Sequence, residues 1–94
     1  MFGYFVYITT NPARTVLYIG VTNSVQQRTA QHFQNRGLAE NFAGKYFCYN
    51  LLYVEKYGDI KAAIGREKEL KGWTRAKKEA LIATVNPNWE FLLP

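Results

Sequence analysis

Ninety-four residues with a formal net charge of +5 and a pI near 9.5 describe a small basic chain, about half apolar and sixteen per cent aromatic. That length suits a single domain over 1–94 with a two-layer core and leaves no room for a second. The lone Cys48 excludes an internal disulfide framework and a cysteine-built zinc site, and reads as a small core residue on a strand. No apolar run approaches the roughly 20 residues of a membrane helix, and no basic-then-apolar signal segment opens the chain. A cytoplasmic protein with no membrane association is the expectation.

Residues 4–10 and 15–22 are rich in aromatic and β-branched residues and read as strands. Asn11-Pro12-Ala13-Arg14 between them reads as a turn, with Pro12 fixing φ at its second position. A four-residue loop sets Thr10 against Thr15 and Tyr7 directly opposite Tyr18, so that both hydroxyls leave the same face. Gly20 lies two residues further along that face, where its missing side chain leaves room for a ligand.

Ser24, with Gln27 three residues on, fits a capping box, and a helix follows with Val25, Thr29 and Phe33 as its core stripe. Arg28 and His32, four residues apart, are neighbours on its flank. Asn35–Gly44 reads as a loop, and 45–56 as the third and longest strand. A helix over Ile60–Lys71 comes next, broken near Gly72, and another runs from Trp73 or Thr74 to about Val85. Pro87 prevents continuation, and Trp89–Pro94 reads as a packed strap.

The Ile60–Lys71 helix carries the oddest residue. Its stripe Ile60, Ala63, Ile64 calls for an apolar side chain at 67, and the residue there is Glu67. A buried carboxylate needs a partner, a metal or a shifted pKa. A salt bridge to Arg28 or a lysine would satisfy it, as would a helix turned so that 67 meets solvent. Lys68, Lys71, Arg75, Lys77 and Lys78 crowd one segment around Trp73. Such a run suits a polyanion-binding surface as well as two solvated helix faces. No phosphate-cradling glycine loop or nucleophilic serine motif competes.

In this order, Phe5-Val6-Tyr7, Tyr18-Ile19-Gly20, Arg28, His32 and Ala63-Ile64-Gly65-Arg66-Glu67 resemble the GIY-YIG nuclease superfamily. Arg66–Trp73, Lys77–Ile82 and Asn86-Pro87-Asn88-Trp89 are similar to its small stand-alone excinuclease-like (YhbQ-like) group. One departure is Phe5, which stands where the first motif has glycine. The resemblance implies an α+β fold: a three-stranded, mainly antiparallel sheet flanked by helices, in the order β-β-α-β-α-α. It implies a metal-dependent endonuclease acting on nucleic acid, most simply DNA, in repair or processing. Glu67 would hold one Mg²⁺ or Mn²⁺, with no small-molecule cofactor. Arg28 would neutralise phosphate charge, and Tyr7 or Tyr18, aided by His32, would take the proton of the attacking water. Gly20, Lys68, Lys71, Trp73, Arg75 and Lys78 would contact the nucleic acid. A nucleic-acid-binding module without turnover is the alternative, and a protein-interaction adaptor a third.

Overall fold

The computed structural model describes residues 3–93. Three strands, β1 (Tyr4–Thr10), β2 (Leu17–Thr22) and β3 (Asn50–Tyr57), form one antiparallel sheet in the order β2-β1-β3. The helices are α1 (Val25–Gln34), the single turn α2 (Phe42–Lys45), α3 (Ile60–Lys71) and α4 (Arg75–Ala83). This is the expected α+β arrangement, with α2 added where the sequence reads as loop and β3 beginning at Asn50 rather than 45.

The hairpin register differs from the expected one by two residues. Tyr7 faces Gly20, Thr9 faces Tyr18 and Thr10 faces Leu17. The cause is Asn11, whose side-chain oxygen accepts from the N–H groups of Thr15 (2.8 Å) and Val16 (3.0 Å) and keeps them out of the ladder. Thr10 Oγ1 closes the loop by donating to the Val16 carbonyl at 2.7 Å. Side chains alternate with period two, so a two-residue shift leaves Tyr7 and Tyr18 on the same face.

The other face carries the main core. Val6, Ile8, Ile19 and Tyr53 pack there with Ala63 and Leu70 of α3 and Ile82 of α4. A bulge between Ile8 and Thr9 leaves Leu52 without a β1 partner, and both Leu52 and Tyr53 join that core. The α3 stripe is therefore Ala63 and Leu70; Ile60 and Ile64 stand 37% and 38% exposed. Likewise α1 buries Thr29 and His32, and Phe33, expected inside, is 46% exposed. Helix α1 thus turns His32, rather than Phe33, onto the sheet.

Cys48 is buried as expected, but it precedes β3 in a connection where Phe47 adopts φ 60°. The tail crosses back beneath β3. Asn86, itself buried, donates to the Leu52 and Glu90 carbonyls, and the Leu92 N–H donates to Leu51 O at 2.8 Å. The strap expected over Trp89–Pro94 is thus tied to β3, but it is less packed than expected, with Trp89 half-buried and Phe91, Leu92 and Leu93 exposed; Pro94 lies outside the described residues. Among the described residues no helix is long and apolar enough to cross a membrane.

Candidate active site

Tyr7 sits at the centre of β1, fully buried, and its hydroxyl lies 2.8 Å from His32 Nε2. The position is set by Gly20. A Cβ on Gly20 would lie 2.6 Å from Tyr7 Cζ and closer still to its oxygen, which no real side chain tolerates. The space expected to admit a ligand at Gly20 is therefore filled by the Tyr7 phenol, and Gly20 acts by seating that ring. Tyr18 and His32 complete the cluster: the Tyr7–Tyr18, Tyr7–His32 and Tyr18–His32 ring centroids are 6.2, 5.8 and 5.3 Å apart. Tyr18 is half-buried, so its ring, unlike that of Tyr7, meets solvent.

The cluster's electrostatics follow from burial and from Arg28. Burial, and after it the neighbouring guanidinium, hold the His32 imidazole well below its ordinary range, down to about 4. Burial, with a smaller push from Tyr18, raises the Tyr7 phenol far above its usual value; Arg28 pulls it down and Glu67 adds to the rise. With the imidazole neutral, we assign the Tyr7 hydroxyl as donor to Nε2. Arg14, Arg36, Arg66 and Arg75 all donate side-chain hydrogen bonds to a carbonyl or carboxylate. Among the described residues the guanidinium of Arg28 has no such partner, so it is free to meet an anion.

Glu67 arrives from the other helix layer. Its helix packs through Ala63 and Leu70 on the sheet face opposite Tyr7 and Tyr18, not in one concavity with both tyrosines, although the Glu67 charge still adds to the rise of the Tyr7 phenol. The carboxylate, 20% exposed, pairs with Lys71 Nζ at 3.3 Å. Lys71 in turn lines a groove of about 330 Å³ with Leu17, Tyr18, Ile19, Phe42 and Lys78. The odd glutamate is thus partnered by a lysine, one of the expected ways to satisfy it. Among the described residues no group of three or more His, Cys, Asp or Glu side chains could hold a metal. A lone, partly wet carboxylate suits a hard divalent ion that keeps most of its waters and takes further oxygens from a phosphate.

The expected nucleic-acid stripe divides. Lys71 and Lys78 reach the groove beside Tyr18, and Lys68 is exposed on α3. Trp73 instead packs against the core, with the Arg66 guanidinium and Lys77 Nζ over its ring at 5.0 and 4.5 Å. Arg75 is engaged too, donating to the Thr15 carbonyl at 2.8 Å and pairing with Glu79 at 3.0 Å. Trp73 and Arg75 are thereby tied into the fold, because α4 must be fastened to the hairpin loop and to α3.

Two features escape the sequence. Phe42 stacks on Tyr18 with centroids 5.9 Å apart, and Tyr46 lies against Phe42 at 4.7 Å with its ring tilted by 52°. Their i, i+4 spacing behind the capping Asn41 is the signal that could have revealed them. On β3, Glu55 accepts from Tyr53, Tyr57 and Arg66, all through side chains two or eleven positions away.

Comparison with known proteins agrees with this fold. The chain belongs to the GIY-YIG catalytic domain family, whose profile matches residues 3–80. A UPF0213 protein of Natronomonas pharaonis is 38% identical over 71 residues, which are 76% of this chain and 81% of that protein. A UPF0213 protein of Haloquadratum walsbyi is 34% identical over 65 residues, 69% of this chain and 71% of its own. The solution NMR structure of a UPF0213 protein of Bacillus halodurans shares the fold with a TM-score of 0.58 at 24% identity, covering 94% of this chain and 90% of that one.

Proposed function

We propose that this protein is a divalent-metal-dependent endonuclease that hydrolyses nucleic-acid phosphodiesters, acting on DNA in repair or processing. The observation that carries the reading is the buried Tyr7–His32 hydrogen bond beside Arg28, a guanidinium without a protein partner among the described residues. A cation of that kind, next to neutral proton-handling groups, suits a phosphate that gains charge in the transition state.

The side chains divide the work by exposure. Tyr18 is the tyrosine a water can reach, and it orients the attacking water. Tyr7, sealed from solvent and strongly disfavoured as a phenolate, is no free base. Its hydroxyl donates to His32 Nε2 and fixes the tautomer of an imidazole that burial and Arg28 keep neutral, so a proton leaving the water would be relayed through the tyrosine hydroxyls to that nitrogen. Arg28 neutralises the non-bridging oxygens through its planar fork. Glu67 would hold a Mg²⁺ or Mn²⁺ ion, which when bound supplies polarisation of the phosphate and stabilisation of the leaving oxygen. Lys71 would then release Glu67, and its position in the groove beside Tyr18 supports a contact with a backbone phosphate instead.

The Glu67–Lys71 ion pair also favours a second reading, a binding module in which the lysine stands permanently in the metal's place. Incubating the protein with single-stranded, duplex, flapped and branched substrates in Mg²⁺, Mn²⁺ or EDTA separates the two. Cleavage that EDTA abolishes supports the enzyme. Binding without cleavage under every condition supports the module.

A further inference from the structure

We infer that Phe42 and Tyr46 form a stacking platform for an unpaired nucleobase beside the phosphate held at Tyr18 and Arg28. The inference rests on the reading that this site takes nucleic acid, and it adds the strand state that the site prefers. Single exposed apolar residues need no explanation. Here, however, large aromatics form a contiguous series: Tyr18 to Phe42 at 28° between ring planes, then Phe42 to Tyr46, whose planes are tilted by 52°. The outer two are 52% and 39% exposed.

The charge around the series suits a sugar-phosphate chain. Lys71 and Lys78 line the groove shared by Tyr18 and Phe42, and Lys45 Nζ stands 5.4 Å from the Tyr46 ring centre. Aromatic faces set in a positive groove are how proteins hold single strands without reading sequence, because every base has a π-face to offer. A base inside a duplex has both faces covered by its neighbours and cannot use them.

The turn that carries the platform is tied to its surroundings. Asn41 accepts the Gly44 N–H at 3.0 Å, the Gly37 N–H donates to Gly44 O at 2.7 Å, and the Cys48 N–H donates to Ala43 O at 2.8 Å. Gly44 is packed so closely on the Asn35 and Leu38 carbonyls that a Cβ has no room there. The backbone that carries the rings is therefore tied down, and Phe42 is seated against Tyr18, which lowers the ordering cost of binding.

The test is fluorescence anisotropy in EDTA with three labelled probes: a short single strand, the duplex of the same sequence, and the same strand with abasic sites. Phe42→Leu and Tyr46→Leu keep apolar bulk but lose the π-face, and thermal unfolding checks that both still fold. Phe42→Leu should weaken the intact single strand by roughly 5- to 100-fold and leave the duplex and abasic probes within about 3-fold. Should a leucine variant not fold, Phe42→Trp, which keeps a ring, must bind the single strand at least as well as the parent. Equal parent affinity for intact and abasic strands, or an unchanged affinity in Phe42→Leu, overturns the platform. If the parent nevertheless cleaves DNA, the nuclease reading stands without it; if the parent binds no nucleic acid at all, both fall.

Discussion

Tyr7 and Gly20 face each other across β1 and β2, and the phenol of the first fills the space that the second leaves empty. The glycine of the Tyr-Ile-Gly motif is thus a packing partner of the buried tyrosine. Gly20→Ala must push the Tyr7 ring aside and break its bond to His32. We expect a loss of about 1–3 kcal/mol in urea unfolding, the usual cost of forcing an atom into a packed site. The double variant Gly20→Ala/Tyr7→Leu, with the clashing ring gone, should be less destabilised than the two single losses added together. Strict additivity would contradict this packing.

Acid stability should report His32. Its folded pKa is about 4, below the ordinary value near 6.5, so between these limits the unfolded chain binds a proton that the folded one refuses. The His32 contribution is therefore complete above about pH 6.5 and is lost as the pH falls towards 4, amounting to about 3 kcal/mol. Urea midpoints at several pH values should fall over that window in the parent and much less in His32→Gln. The same shift keeps the imidazole neutral down to low pH, so cleavage should show no inflection near 6.5. Parallel stability curves for parent and variant would contradict the assignment.

A second polar group tests the other half of the fold. The Glu55 carboxylate, 15% exposed, accepts from Arg66 at 2.9 and 3.0 Å and from Tyr57 at 2.8 Å. Burial works against its charge, but these hydrogen bonds outweigh burial and hold its pKa below the ordinary carboxylate value. Its contribution is present above that ordinary value and is lost at lower pH, a more acidic window than that of His32. Arg66→Met should cost roughly 1–3 kcal/mol, because the carboxylate is left short of its charged partner. Adding Glu55→Gln should recover part of that loss, as read in thermal or urea unfolding. No recovery would mean that Arg66 acts mainly through Trp73.

Much of the site was legible in the sequence because strand alternation survives a shift of two residues. Tyr7 and Tyr18 share a face in either register, so Asn11's capture of two amides moves the pairing without separating the tyrosines. Helix Ile60–Lys71 was readable to the residue, since Asp59 and Gly72 bracket it. Its rotation was not, because Ile60 and Ile64 outweigh the small Ala63 in any hydrophobic count, yet Ala63 and Leu70 are the residues that enter the core. The same happened in α1, where Phe33 masks the burial of His32. Trp73 and Arg75 read as a nucleic-acid stripe because a sequence shows charge but not the Thr15 carbonyl or the core that these side chains meet. The α2 turn stayed hidden because its four residues carry too little periodicity, leaving the Asn41 cap as its one sequence signal, while packing at Gly44 helps to hold it.

The central claim is that Glu67 supports metal-dependent cleavage, and Glu67→Gln tests it most directly. The amide keeps the shape and can still bond, but it lacks the charge that would hold a divalent ion, and it also frees Lys71. On a substrate that the parent cleaves in Mg²⁺ or Mn²⁺, single-turnover cleavage should fall by roughly 10²-fold or more, the scale at which such catalytic groups act. Binding in EDTA should hold level or tighten, because a negative charge beside the phosphate has gone. Cleavage by Glu67→Gln at the parent's rate would contradict the account.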